Sequence, residues 1–161
     1  MHQINLSTPP YIPCGWKVEE HIGSGMFEFD PKNVELYLDE GQKNGVIEGI
    51  ELRKRLAGKN VLNANVLDYL LEHTELIPDS WKENWVFFWG TIYRDSGGNL
   101  FVRCLSWNGT SWDAYWIGRQ WRSDNPTLLA SSLNPSDLSL ESRVSELESK
   151  VNKILDVIKI T

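Results

Sequence analysis

Hydrophobic positions change their spacing several times along the chain, and each change marks a different kind of element. At 34–38 apolar and polar residues alternate (Val34, Glu35, Leu36, Tyr37), the period of a β-strand. From 46 to 73 the spacing shifts to three and four. "IEGIELRKRLAGK" places Ile47, Ile50 and Leu56 in one helical stripe, with Gly58 as the stop residue. "NANVLDYLLEH" follows, with Asn63 or Asn65 as N-cap and Val66, Leu67, Leu70 and Leu71 as its buried stripe. Pro78 limits any continuation. Ahead of these, residues 1–33 are punctuated by Pro9-Pro10 and Gly23-Ser24-Gly25, leaving short strands at 16–22 and 26–29.

Between 85 and 121 the period returns to two. "WVFFWGTIYR" and "NLFVRCLSW" are β-branched and aromatic runs joined by a loop at 95–98, read as four residues. Trp107 then leads into Asn108-Gly109, a strong hairpin signal, and "TSWDAYWIG" forms the third strand of a meander. Turn lengths fix the register, and register assigns faces. With Arg94 opposite Asn99, Phe88 meets Leu105 and Gly90 meets Arg103. With Trp107 opposite Thr110, Leu105 meets Trp112, Arg103 meets Ala114, and Phe101 meets Trp116. One face then carries Val86, Ile92, Arg103, Trp107, Trp112 and Trp116, while the other carries Phe87, Trp89, Tyr93, Val102, Cys104 and Tyr115. Both faces are apolar, so each needs a cover. The helix pair is assigned to one, and the N-terminal strands, a partner or a ligand to the other.

The end of the chain has a third pattern. After Asn134-Pro135, suited to an N-cap with Pro at the first helical position, Leu140, Val144, Leu147, Val151, Ile154 and Ile158 recur at steps of four and three. This is a heptad with Val144, Val151 and Ile158 at a, and Leu140, Leu147 and Ile154 at d. Arg143 at g is placed to pair with Glu148 at e of a parallel neighbour. A lone helix folded back on the domain is the simpler use of such a segment. The unbroken seam favours a homo-oligomer, and β-branched residues at a with Ile154 at d favour a trimer over a dimer. The chain thus divides into an N-terminal strand segment (1–33), an α+β domain (34–130) and a linker with an oligomerising helix (131–161). The expected fold is α+β: a short helix pair packed on a Trp-rich antiparallel sheet of three or more strands, plus a C-terminal coiled-coil helix.

Composition sharpens the picture in two places. The chain carries eight Trp, of which Trp85, Trp89, Trp107, Trp112, Trp116 and Trp121 crowd the meander. Its net charge of −6 argues against a general polyanion binder, which needs a basic face. The first residues lack the charged and apolar regions of a signal peptide, and no run approaches the ~18 apolar residues of a membrane span. The expected location is therefore cytoplasmic, with Cys14 and Cys104 as free thiols rather than a disulfide framework.

Candidate chemistry is sparse. His2, His21 and His73 fall in unrelated segments, without a metal-ligand spacing, and "DPKNVELYLDEG" fails the calcium-loop pattern. No nucleophile elbow, phosphate-cradling loop or dinucleotide fingerprint occurs, so no catalytic residue, metal or cofactor is assigned. The basic run "ELRKRLAGK" beside a helix pair raises a helix-turn-helix, but no recognition helix accompanies it.

The segments "FEFDP", "VELYLDEGQKNGVIEG", "VLNANVLDYLLEHTELIPDSWK" and "FFWGTIYRDSGGNLFVRCLSW" resemble a group of small uncharacterised proteins from reduced-genome bacteria of the candidate phyla. The similarity covers about residues 27–130 and leaves out the heptad tail. The group has no assigned activity, so the resemblance implies a module with a separately attached helix and supplies no site residues.

What remains is the face around Arg103. An arginine among aromatics is often purely structural; it is also what a planar or anionic ligand would meet. The leading expectation is a non-enzymatic interaction module, made multivalent by the coiled coil and contacting an unknown protein partner. Its surface comprises Arg103, Trp107, Trp112 and Trp116, with Arg119 and Trp121 at the edge. Single-stranded nucleic-acid binding by stacking is the second reading, requiring Arg94, Arg103, Arg119 and Arg122 to form a positive strip. Carbohydrate binding on an aromatic platform is the third.

Overall fold

A computed structural model describes residues 2–106 and 111–131. Trp107, the Asn108-Gly109 turn and the heptad positions Leu140, Val144, Leu147, Val151, Ile154 and Ile158 lie outside the described residues. The strands are β1 (Gln3–Asn5), β2 (Lys17–His21), β3 (Met26–Glu28), β4 (Val34–Tyr37), β5 (Ile47–Glu48), β6 (Val86–Phe87), β7 (Thr91–Arg94), β8 (Leu100–Leu105), β9 (Trp112–Trp116), β10 (Gln120–Trp121) and β11 (Thr127–Ala130). The helices are α1 (Glu40–Lys43), α2 (Gly49–Leu56) and α3 (Ala64–Glu72). The fold is mixed α+β and rich in sheet.

The main sheet has seven strands in the order β2-β7-β8-β6-β11-β4, with β9 on the other edge of β8. Strands β6 and β7 are one strand interrupted at residues 88–90, and the sheet forks there. Beyond β6 it continues through β11 (parallel) to β4; beyond β7 it continues to β2. The interruption is filled by the start of α3. Gly90 N donates to Leu62 O at 3.0 Å, and Ile22 N donates to Gly90 O at 2.6 Å. A Cβ on Gly90 would stand 2.8 Å from the Asn63 backbone, so the close approach requires glycine.

The β8–β9 register follows the expected one: Phe101 faces Trp116, Arg103 faces Ala114, and Leu105 faces Trp112. The first hairpin differs, by two residues in β6, where Val86 rather than Phe88 pairs with Leu105, and by one residue in β7. Arg94 pairs with Leu100 and Tyr93 with Phe101, because the loop has three residues rather than four. Asp95 N donates to Asn99 O at 2.9 Å, the Asp95 carboxylate accepts from Gly97 N and Asn99 N, and Gly98 takes a φ of 83°. This is the three-residue hairpin loop with glycine in the left-handed region. One residue of slip exchanges faces. Tyr93 therefore joins the Arg103 face, and Ile92 packs on the other.

The two longer helices do not pack as a pair on one side. Helix α2 sends Leu52 and Leu56 into a cluster with Phe87, Trp89, Ile92, Val102, Cys104 and Trp121. Helix α3 sends Val66, Leu67 and Leu70 into a second cluster with Val86, Phe88, Leu105 and, from the N-terminal strands, Ile4, Phe27 and Phe29. The packing of residues 1–33 is thus continuous with that of 34–130. The stripe of α2 is also re-phased. Ile47 belongs to β5, paired with β10, and Ile50 is 61% exposed; the inward positions are Gly49, Leu52 and Leu56. Gly58 has the left-handed φ of 82° expected of a stop residue. Asn63 caps α3, accepting from Asn65 N at 3.0 Å. No helix among the described residues is long and apolar enough to cross a membrane.

Candidate aromatic cleft at Arg103

Strand alternation delivers Arg103 to the face of Phe101 and Leu105, beneath α3. Its side chain is 1% exposed, and a buried cation needs a counter-charge. Asp68, on the facing side of α3, supplies it with a two-pronged bridge. Nη1 donates to Oδ2 at 3.1 Å and Nη2 to Oδ1 at 2.9 Å. Burial alone would lower the Arg103 pKa, but Asp68 outweighs it and holds the group above its ordinary value. The guanidinium also lies 4.3 Å from the Trp112 ring centre, 5.2 Å from Tyr11 and 6.0 Å from Tyr93. Its Nε has no hydrogen-bond partner among the described residues.

A polar network at the head of α3 holds the N-terminal arm against this site. Asn63 Nδ2 donates to Leu6 O and Ile22 O, and Asn65 Nδ2 donates to Asn5 O and Thr8 O. Thr91 Oγ1 accepts from Ala64 N, which leaves its hydroxyl hydrogen for His21 Nδ1 at 2.9 Å. In that arrangement His21 Nε2 carries the proton directed at Leu6 O and Thr8 O. Further along the arm, Tyr93 Oη donates to Tyr11 O at 2.7 Å and fixes Tyr11 at the lip. Trp16 stacks on Phe101 at 5.1 Å and meets Trp112 edge-on at 6.2 Å.

Between the arm, α3 and Trp112 lies a cleft of about 580 Å³. Residues 3–11 form one wall, Asn65, Asp68, Tyr69 and Glu72 the second, and Arg103 and Trp112 the base and third side. Its size falls within the ~300–1,000 Å³ typical of small-molecule sites.

The residues expected to share this face separate. Arg103 and Trp112 come together at the cleft, but Arg103 is buried and ion-paired rather than displayed. Trp116 lies on the same face, 50% exposed, outside the cleft. Arg119 and Trp121 are not at its edge. The turn after β9 carries the chain around the sheet, where Arg119 lies 3.8 Å over Tyr115. Trp121 is fully buried, 4.5 Å from Phe87 and 4.9 Å from Trp89, its Nε1 donating to Ile117 O at 3.2 Å. Sequence reasoning missed Tyr11, Trp16, Asn65, Asp68 and Glu72. For the last three a signal existed: positions 65, 68 and 72 form a polar stripe on a helix whose opposite stripe is apolar.

Cys14 and Cys104 are both free, and burial pushes the Cys104 thiol far above its ordinary pKa, against ionisation. Among the described residues no cluster of three His, Cys, Asp or Glu is placed to hold a metal. No protein-family model, characterised protein or solved structure matches the chain, so any reading of its function rests on this geometry.

Proposed function

We propose that the chain is a non-enzymatic binding module whose contact surface is the cleft beside Arg103, with copies joined through the 140–158 heptad. The observation that carries the reading is a cleft of ligand size with aromatic walls over a fixed Arg103–Asp68 pair. Aromatic side chains bring large contact area at small entropic cost, and Asp68, part-exposed and locked by Arg103, offers a carboxylate that needs no reorganisation on binding. The tail adds a seam whose spacing suits a trimer, so weak sites gain from effective concentration.

Charge counts against a nucleic-acid reading. Arg94 is held by Glu19 at 2.9 Å, Arg103 by Asp68, and Arg119 lies against Tyr115 on the other side of the sheet. These arginines do not make the continuous positive strip that a phosphate backbone needs.

The test uses the full chain labelled with 5-fluorotryptophan, the Trp112 resonance being assigned by Trp112→Phe. Neutral polyols, small amides, amines and acids are titrated in turn by ¹⁹F NMR. A ligand that shifts Trp112 ahead of Trp89 and Trp121 supports the cleft. Silence at Trp112 across all four classes overturns it. Light scattering after size exclusion checks the tail: a trimer that becomes a monomer on Leu147→Asp and Val151→Asp is expected, and a wild-type monomer removes the multivalent part.

A further inference from the structure

We infer that β9 is a docking edge for a second copy of this chain, the two β9 strands pairing antiparallel about a two-fold axis at Ala114. Among the described residues, β9 has β8 on one side and no strand on the other. Hydrogen bonding fixes which of its groups face outward. Ile117 N donates to Leu100 O at 2.9 Å, and Ser106 N donates to Ser111 O at 3.3 Å. Odd-numbered residues of β9 therefore turn their backbone groups to β8, while Trp112, Ala114 and Trp116 turn theirs to the free side. The sheet edge at β2 is blunted by a register shift between Val18 and Glu20 and by the charges of Lys17, Glu19 and Glu20. β9 keeps an unbroken register and carries neither proline nor lysine, so nothing of that kind guards its edge.

The strand itself selects the register. Ala114 is the midpoint of Trp112–Trp116, and an axis at either end would carry half the strand past its partner. With the axis at Ala114, Trp112 stands opposite the second copy's Trp116, on the Arg103 face. Trp116, 50% exposed, gains an indole neighbour there, and the two small Ala114 side chains leave room between. On the other face Asp113 stands opposite the second copy's Tyr115, a closely spaced pair without backbone bonds of its own. The Arg119 guanidinium lies 3.8 Å over that Tyr115 ring, so each Asp113 comes beside the other copy's Arg119. Both side chains are exposed, and neither has an ion-pair partner among the described residues. The Asp113 carboxylate accepts from its neighbour Ala114 N at 2.8 Å. Pairing gives that N–H the second copy's Ala114 carbonyl and releases the carboxylate to Arg119. The charges thus complement themselves twice across the axis. An edge of five residues buries little area, so the pairing is weak and concentration-dependent. It is two-fold and independent of the heptad seam.

The experiment isolates this edge in the full chain with its seam broken by Leu147→Asp and Val151→Asp. Sedimentation equilibrium is expected to show a monomer–dimer exchange with a dissociation constant of about 0.1 mM. Hydrogen exchange at the Ala114 and Trp116 amides is expected to slow as the dimer forms. Asp113→Arg and Arg119→Asp, added singly, change exposed side chains and should leave the thermal midpoint in place. Each sets like charges together twice and is expected to weaken the dimer about tenfold. An equimolar mixture of the two variants restores both opposite-charge pairs, so heterodimers at the original affinity are expected. A chain that stays monomeric up to about 1 mM overturns the inference. So does a dimer whose Ala114 and Trp116 amides exchange as in the monomer, or one that the mixture fails to restore. Tighter pairing on Asp113→Arg would show Asp113 to be a guard of the edge and would overturn it too.

Discussion

The two sides of the main sheet are built from the same residue types and end in opposite states. On the α2 side, Phe87, Trp89 and Tyr115 each lie within about 6 Å of Trp121, packed with Ile47, Leu52 and Leu56. On the α3 side, Tyr11, Tyr93 and Trp112 bury Arg103, and a cleft stays open beside them between the N-terminal arm and α3. The difference is what covers each side. Helix α2 presses its backbone at Gly49 onto the 117–121 turn and buries Trp121. Helix α3 turns its polar stripe of Asn65, Asp68 and Glu72 to the sheet's edge and is met there by an arm without helix. Aromatic density alone does not separate core from contact surface; the element lying above it does.

Substitutions sharpen that contrast. The largest effects belong to the sealed side. Trp121→Ala should cost about 3–5 kcal/mol in urea unfolding, because the void is ringed by rigid aromatics. Gly49→Ala should be as severe, since its Cβ would stand 1.5 Å from Ile117 O and 2.5 Å from Trp121 Nε1. A tolerated Gly49→Ala would show that the α2 side is not closed.

Next comes the ion pair beneath the cleft. Asp68→Ala leaves Arg103 buried without its counter-charge and should cost about 3 kcal/mol, at the low end for such pairs because Asp68 is partly exposed. Combining it with Arg103→Met should recover much of the loss. If the double variant is no better than Asp68→Ala, the cost lies in the helix surface and not in the stranded charge.

A smaller effect concerns how α2 is held in place. Asp39 caps α1 through Gly41 N and pairs with Arg55 of α2 at 2.6 Å. Burial raises its pKa, but the Gly41 N–H and the Arg55 guanidinium outweigh that and hold the carboxyl below the usual 3.8. A depressed folded pKa gives stability that is complete above the unfolded value and lost as pH falls through the folded one. Asp39→Asn should therefore cost about 1 kcal/mol at neutral pH. The gap in melting temperature from wild type should shrink from about pH 4 downward. A gap independent of pH would remove the ionic part of this account.

The smallest change is expected on the open side. Trp116→Ala should move stability by no more than about 0.5 kcal/mol, since half the ring already faces solvent. A loss comparable to that of Trp121→Ala would mean the open side is closed.

Much of this arrangement was legible in the chain because it depends on local rules. Alternation across Leu105, Arg103 and Phe101 placed Trp112, Ala114 and Trp116 opposite them correctly, and Asn63 and Gly58 marked helix limits by backbone chemistry. The failures come where a local signal has two readings or the cause is distant. Asp-Ser-Gly-Gly fits a four-residue loop as readily as a three-residue one with Gly98 left-handed, and that single residue moved Tyr93 to the other face. The interruption at residues 88–90 exists because the start of α3 enters from 27 residues upstream, at Asn63 against Gly90, which spacing within the meander does not reveal. Ile47 and Ile50 fit a helical stripe until the pairing of Ile47 with Trp121 shortens the helix. Asp68 as the partner of Arg103, and the arm carrying Tyr11, follow only from tertiary packing.

The central claim, that the aromatics of the α2 side are buried while those of the α3 side border an open cleft, is tested most directly by hydroxyl-radical footprinting of the full chain with mass spectrometry. The account predicts rapid oxidation of Tyr11, Trp112 and Trp116 beside protected Phe87, Trp89 and Trp121. Protection of Tyr11 and Trp112 equal to that of Trp121 would contradict it.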